Sequence, residues 1–236
     1  MKRSSLALPL ISAICWLALS GVAQASPVLV NVRIEGATRT IFEAPVLVEG
    51  RNVTTETGGT HECNGTNGGA NAESVPVPTA ALADAAMLGR FTFDAEWFPS
   101  FEEFLVTRIA ETSQTGSEFW GILVNYELIP VGGCQFRLHN GDQVLFAFNA
   151  FDAEHFLKLS GPNLAFSGHA TTVKVTEGAT GEPIAGAEVG PVNGNEEVET
   201  NAKGEAAITF RHFGLDVLKA SKPGSIRSNS LVVLDL

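Results

Sequence analysis

Cys63 and Cys134 are the side chains with the most specific chemistry in the chain, and the third cysteine, Cys15, lies in an N-terminal apolar segment. Two thiols of an exported protein form a disulfide, stay free or contribute to a metal site. His61 lies close to Cys63, but no Cys-x-x-Cys pair or second histidine completes a zinc ligand set. The sequence therefore predicts a Cys63–Cys134 disulfide, whose cysteines are 71 positions apart.

The histidine and acidic side chains show no spacing that is typical of catalysis. Adjacent side chains of a strand point to opposite faces, so neither Glu102-Glu103 nor Glu196-Glu197 can converge on one substrate atom, and we predict both pairs to be solvated. Regular carboxylate spacing, as in a calcium loop, is missing among the oxygen donors Glu56, Glu62, Asn64 and Asn67. Metal-ligand spacing is missing among His61, His139, His155, His169 and His212.

Serine-hydrolase, zinc-protease and nucleotide-loop motifs are also missing from the sequence. These patterns together predict a non-enzymatic protein with no catalytic residue and no metal site. A secreted hydrolase with an unrecognised site is the open alternative.

Aromatic side chains crowd the stretch 119–151, where the sequence has Phe119, Trp120, Phe136, Phe146, Phe148 and Phe151. Most of them are predicted to form a sheet core. Phe119 and Trp120 are neighbours on one predicted strand, so they cannot both point into that core. Either a core role for the whole group or a ligand-facing role for Phe119 and Trp120 is compatible with this pattern.

The N-terminus and the charge predict export. Lys2 and Arg3 precede the apolar run 6–19, and Ala23-Gln24-Ala25 is typical of a signal-peptidase site, so residues 1–25 are predicted to be a signal peptide. Without them, 13 basic residues stand against 26 acidic ones, and the net charge changes from −11 to −13. Such a charge disfavours nucleic acid as a partner. We expect the protein to be secreted or extracellular, and the alternative is a periplasmic or surface-associated protein. The mature chain is expected to contain no membrane span.

The elements that position these residues fall into two segments. Residues 26–151 are predicted to form strands around one helix, with Thr79 as its cap and Gly89 at its end. Leu82, Ala85 and Ala86 are predicted for the buried face of the helix, with Met87 as a further candidate. Asn140-Gly141-Asp142 is predicted to be a hairpin turn between two strands. Residues 152–169 are predicted to be a linker, and 170–236 an all-β sandwich of short strands. The expected fold class is α+β, followed by an immunoglobulin-like sandwich.

The run 119–148 resembles the C-terminal domain of the transcobalamin and intrinsic-factor family, including its bacterial secreted relatives. An aromatic-Trp-Gly start, an asparagine and a later Gly-Asp carry the resemblance, at Trp120, Gly121, Asn125, Gly141 and Asp142. The resemblance implies a β-grasp-like fold over residues 28–151. That family's domain closes over cobalamin, so the resemblance also implies Trp120 as a ligand-facing residue and cobalamin as a candidate ligand.

Residues 170–236 resemble bacterial immunoglobulin-like and carboxypeptidase regulatory-like domains, through the runs TGEPIAGAEV and VETNAKGEAAITF. Such domains imply a spacer or binding role. The sequence as a whole predicts a secreted, non-enzymatic binding or surface-interaction protein with a cell-surface or extracellular partner. Capture of a small flat ligand such as a corrinoid is the alternative.

Overall fold

The computed structural model of the protein describes residues 26–194 and 196–236. The predicted signal peptide at 1–25 lies outside these residues. Among the described residues, no helix combines the length and apolar character that crossing a membrane requires. The chain is mostly β-strand with one α-helix in its described part, which confirms the α+β class at that level.

The first unit, residues 26–152, contains ten strands and the helix α1, Pro78–Gly89. The strands are β1 Val28–Glu35, β2 Thr40–Val48, β3 Arg51–Thr55, β4 Gly59–Cys63, β5 Phe93–Phe98, β6 Glu103–Ile109, β7 Thr112–Ser113, β8 Trp120–Val124, β9 Glu127–Leu128 and β10 Gln143–Phe148. Short 3₁₀ turns cover Asn67–Gly69 and Ala150–Asp152.

A five-stranded sheet in the order β2-β1-β10-β8-β9 forms the centre of this unit. β1 and β10 are parallel, and the other neighbours are antiparallel. Val30, Val32 and Ile34 alternate onto the face that α1 covers, as the period-2 pattern predicts. Pro45 lies in β2, the edge strand of the sheet. No further strand pairs with the outer side of β2, so the missing N–H of proline is tolerated there.

The helix begins at Pro78, two residues before the start that a Thr79 cap predicts, and its cap is Val77. Pro78 occupies the first turn after Val77, where the absent N–H of proline costs no hydrogen bond. Thr79 is buried and its hydroxyl caps nothing. Arg90 ends the helix in the left-handed conformation. Leu82, Ala85 and Ala86 are buried as predicted, whereas Met87 is 61% exposed and does not belong to the buried face.

The second unit, residues 157–236, consists of two sheets that enclose one apolar core. One sheet has the order β11-β13-β16 and the other β12-β18-β17-β14-β15. The strands are β11 Leu157–Ser160, β12 Leu164–Ala165, β13 Ala170–Glu177, β14 Glu188–Pro191, β15 Val198–Glu199, β16 Glu205–Thr209, β17 Gly214–Ser221 and β18 Leu231–Asp235. β11 and β12 fall inside the segment 152–169 that was predicted to be a linker, and they pair with β13 and β18.

The two units contact each other on the sheet face opposite α1. Leu123, Leu145 and Ala147 are buried on this face, and Phe156 and Ile226 of the second unit pack against them. The ordered structure of the second unit therefore starts immediately after the first, with no free spacer between the apolar surfaces.

A buried ionic cluster completes this contact, and we call it the Glu35 cluster: Arg33, Glu35, Glu43, Lys219 and Arg227. The Glu35 side chain is 1% exposed, and its two oxygens lie 2.5 Å from Lys219 Nζ and 2.9 Å from Arg227 Nε. Lys219 also lies 3.3 Å from a Glu43 oxygen, and Arg33 Nη1 lies 3.7 Å from Glu35. Both acidic members belong to the first unit, whereas Lys219 and Arg227 belong to the second, so the cluster links the units electrostatically.

Candidate functional site

An apolar groove of about 390 Å³ lies between the β8–β9 side of the first sheet and the β5–β6 hairpin. Trp120 and Ile122 project from β8, and Phe104 and Val106 project from β6, because alternate residues of a strand share one face. The remaining lining residues are Phe98, Phe101, Glu103, Leu105, Leu128, Ile129, Val131, Gly132, Gly133 and Phe151. Of these fourteen residues, Glu103 alone carries a charge.

Two aromatic rings at the groove face solvent. Phe101 is 67% exposed and Phe151 is 63% exposed, although both are large apolar side chains. Apolar groups that remain in contact with water around a concave surface indicate a place where a ligand or partner gains by covering them.

Trp120 is the first residue of β8 and Phe119 lies directly before the strand, and the two side chains have different surroundings. Trp120 is 5% exposed and lines the groove, with its ring 5.5 Å from the Phe148 ring in an edge-to-face arrangement. Its indole N–H has no hydrogen-bond partner among the described residues. Phe119 is 38% exposed and is not part of the groove lining. Only Trp120 of the two predicted ligand-facing residues therefore lies at the groove.

Glu103 is the polar group of the groove, and the prediction that it is solvated is wrong. Its carboxylate accepts the backbone N–H of Cys134 at 2.9 Å and the N–H of Phe104 at 2.9 Å. Burial raises the pKa of Glu103 from 4.5 to about 7, while these two hydrogen bonds lower it. A side chain at Gly132 would meet Glu103 Oε2, so the glycine lets the carboxylate approach the backbone. The Gly-Gly pair before Cys134 was the sequence signal for this close approach.

Glu102 lies in the turn directly before β6, with a φ of 50°, and its surroundings differ from those of Glu103. It is exposed, and its carboxylate accepts the backbone N–H of Gly68 at 2.7 Å. Its carbonyl oxygen accepts the amide of Asn67. The two adjacent carboxylates do point apart, but one of them faces the apolar groove rather than water.

The disulfide between Cys63 and Cys134 is confirmed. It joins the end of β4 to the loop before β10, and the carbonyl of Cys134 also accepts the N–H of Gly65 at 2.9 Å. Because Gly132 and Gly133 lie directly before Cys134 and line the groove, the disulfide holds one of its walls.

Asn140-Gly141-Asp142 turns the chain, but it does not join two paired strands. Residues 134–139 form no strand, and β10 pairs with β1 and β8, so the predicted hairpin is wrong. Gly141 has a φ of 91°, as an Asn-Gly turn requires. Asn140 accepts the N–H of Leu29, and Asp142 accepts the side-chain amide of Asn125 at 2.9 Å. The turn fixes the start of the parallel β1–β10 pair.

The other sequence candidates have structural partners. The His61 ring stacks on Trp97 with centroids 4.1 Å apart, and its Nε2 lies 2.9 Å from the Gly58 carbonyl. Asn64 accepts from Thr66 and donates to Glu62. Within residues 26–194 and 196–236, no group of three or more His, Cys, Asp or Glu side chains is placed to hold a metal ion.

Glu103 is expected to make stability depend on pH. Between pH 4.5 and about 7 the folded protein holds the Glu103 proton while the unfolded chain releases it, so the free energy of unfolding falls as the pH rises through this range. Each unit of pKa shift corresponds to about 1.4 kcal/mol. Urea denaturation of the wild type and Glu103→Gln across this range measures the effect.

In Glu103→Gln this fall is expected to disappear, so the stability of the variant relative to the wild type rises with pH. Glu102→Gln removes the adjacent exposed carboxylate and is the matched control. A difference between Glu103→Gln and wild type that stays constant over the range would contradict the buried carboxyl.

No protein-family model matches the sequence, and a search of the curated proteins finds no match.

Proposed function

We propose that the protein is a secreted, non-enzymatic binding protein that captures a small, flat, apolar ligand in the groove beside Trp120. The observation that carries the proposal is the lining of the groove, in which thirteen of fourteen residues are uncharged and at least two aromatic rings face water. Small-ligand sites are concave, mostly apolar and roughly 300–1,000 Å³ in volume. The groove, at about 390 Å³, lies within this range.

The polar groups of the groove suit recognition better than catalysis. Glu103 is the only titratable side chain of the lining, and its hydrogen-bond donors are backbone N–H groups. Hydrolysis needs a nucleophile or a second acid–base group within reach. The Glu103 carboxyl and the Trp120 indole N–H, as polar groups of two lining residues, would instead orient a ligand that carries one or two polar atoms at its edge. A secreted hydrolase remains the alternative that an activity screen tests.

The fold assignments are part of the same proposal. A β-grasp-like first unit of the transcobalamin C-terminal type is supported by the strand order β2-β1-β10-β8-β9, the parallel pair β1–β10 and the helix across one face. An immunoglobulin-like second unit is supported by its two packed sheets, whose strand pairs are antiparallel except for the parallel pair β12–β18. Under this proposal, a corrinoid such as cobalamin is one of the ligands to be tested, and an extracellular or cell-surface component is the partner class.

Secretion is supported by the disulfide and by the sequence of residues 1–25. Disulfides persist in oxidising compartments, outside the cytosol. The charged, apolar and small-residue regions of the N-terminus follow the order of a signal peptide. Sequencing the N-terminus of the exported protein tests cleavage after Ala25.

A fluorescence titration tests the groove. In the Trp97→Phe background, Trp120 is the only tryptophan of the exported chain, so its emission reports on the groove alone. N-phenyl-1-naphthylamine, a neutral flat probe, is expected to quench this emission saturably by energy transfer. Cyanocobalamin, titrated separately, tests the corrinoid alternative.

Phe101→Ser is expected to weaken probe binding roughly tenfold, because it removes an exposed ring from the groove without touching the core. Leu47→Ser, at a comparably exposed apolar residue outside the groove, is the matched control and should leave binding unchanged. Quenching of Trp120 by neither probe, or equal weakening in both variants, would overturn the proposal.

A further inference from the structure

The outer face of the sheet β12-β18-β17-β14 in the second unit is apolar, although it faces water. Register pairs Leu164 with Leu234 and Leu234 with Leu215, which gives one row across three strands. A second row joins Val232, Val217 and Val192, the last through its N–H to the Val217 carbonyl at 2.8 Å. We call these two rows the apolar face.

Alternation along the strands shows that the apolar face is not part of the core. Val233 lies between Val232 and Leu234 on β18 and is buried inside the sandwich. Leu231 and Leu218, the strand neighbours of Val232 and Val217, are buried there as well. By contrast, Leu215 is 72% exposed and Val192 is 54% exposed. One face of an antiparallel sheet normally packs on the core while the other carries polar groups.

The second sheet of the same unit follows that rule. The outward positions of β11, β13 and β16 include Lys158, Lys174 and Glu205, and Lys174 lies opposite Glu205 in the register. The apolar character is therefore specific to one face of the unit and is not a property of its sequence as a whole.

The apolar face continues directly from the contact between the two units. Lys219 follows Val217 along the chain and Ser230 precedes Val232, and both lie on the same side of the sheet as these valines. Lys219 and Ser230 both bind Glu43 of the first unit. The first unit thus covers this side of the sheet up to that row, and the exposed apolar rows begin immediately beyond it.

At the other end, Phe166, Phe213 and Leu236 flank the two rows where β12 and β18 end and β17 begins. Phe213 is 81% exposed and Phe166 is 59% exposed. With them, the apolar face presents on the order of 700 Å² of apolar surface, against about 800 Å² per partner in a standard protein interface. A patch of this size exceeds the few hundred Å² that monomers usually expose.

We propose that the apolar face binds the same face of a second copy of this chain and forms a twofold-symmetric dimer. An isologous contact needs a surface that complements itself, and an uncharged apolar sheet does so by face-to-face packing. The net charge of −11 makes two copies repel each other over most of their surface. The rows of the apolar face carry no charge, so they let two acidic chains meet without bringing like charges into contact.

Sedimentation equilibrium of the exported protein tests the dimer. The wild type is expected to sediment as a dimer at roughly 100 µM, in the range of a weak-to-moderate interface. Leu215→Lys places a charge in the centre of the face and is expected to raise the dissociation constant at least thirtyfold. Leu47→Lys, at a comparably exposed leucine of the first unit, is the matched control and should leave the dissociation constant unchanged.

Circular dichroism shows whether Leu215→Lys still folds, and Phe213→Ser, at the most exposed side chain of the face, is the second variant. A fold-preserving loss of the dimer in both variants supports the proposal. A wild type that stays monomeric overturns it, and so does a dimer that both variants leave intact. Binding of a monomer to phosphatidylcholine vesicles would assign the face to lipid and would also overturn it.

Discussion

Replacing Glu35 with alanine is expected to lower the free energy of unfolding by about 3–5 kcal/mol, the range for breaking a buried ion pair by removing one partner. Glu35 binds Lys219 and Arg227 of the second unit and accepts the hydroxyl of Thr40 at 3.0 Å. Its side chain is 1% exposed, and the side chains of Arg33 and Lys219 are 8% and 13% exposed. Without Glu35, three cations remain in this contact with Glu43 as the only acidic member of the cluster.

Urea denaturation at pH 7 measures this effect. Glu35→Gln, which keeps the shape of the side chain but removes the charge, is expected to be destabilised as well. Glu111→Ala removes an acidic partner of similar type from an exposed pair with Arg39 and should leave the free energy of unfolding almost unchanged, because solvent screens such a pair. Equal losses in Glu35→Ala and Glu111→Ala would show that the Glu35 cluster does not hold the units together.

The Glu35 cluster also shows where sequence reasoning ends. Alternation over 28–35 predicts β1 and its buried face, and Pro45 correctly indicates a strand at an edge. The same alternation places Arg33 and Glu35 on the other face, which looks solvated in isolation. Their partners Lys219 and Arg227 are more than 180 positions away along the chain, and no local pattern predicts that contact.

The candidate site, too, was predictable from the sequence only in part. Strand alternation predicts that Phe119 and Trp120, and Glu102 and Glu103, point to opposite sides, and in the structure only Trp120 and Glu103 line the groove. Phe119 and Glu102 each lie directly before a strand, however, so alternation within a strand is not what separates the pairs. The position of the groove depends on the packing of the β5–β6 hairpin against β8. This contact joins distant segments of the chain, so no local pattern predicts which side chains face the groove. A run such as CQFRL alternates like a strand, yet β10 already has β1 and β8 as its neighbours, so no pairing edge remains for it.

The disulfide was predictable because its argument needed only composition and compartment, and no geometry. Two cysteines in a chain that is predicted to be exported have few other fates. Its position between the β3–β4 hairpin and the groove wall is information that only the fold supplies.

Replacing both cysteines, Cys63→Ser with Cys134→Ser, is expected to lower the free energy of unfolding by about 4 kcal/mol, because the bond closes a loop of 71 positions in the unfolded chain. The effect should concentrate around the groove. Cys134 donates its N–H to Glu103 and follows Gly132 and Gly133, so a freed loop loosens one wall.

Hydrogen exchange of the double variant distinguishes this local effect from a general loss of stability. Amides of β4, β6 and residues 130–136 are expected to exchange faster than those of the second-unit strands β13 and β17. The quenching of Trp120 by N-phenyl-1-naphthylamine should weaken in parallel, because the same loop forms the binding surface. Uniform acceleration through both units would show instead that the two units unfold together and that the disulfide stabilises them as one body, with no particular role at the groove.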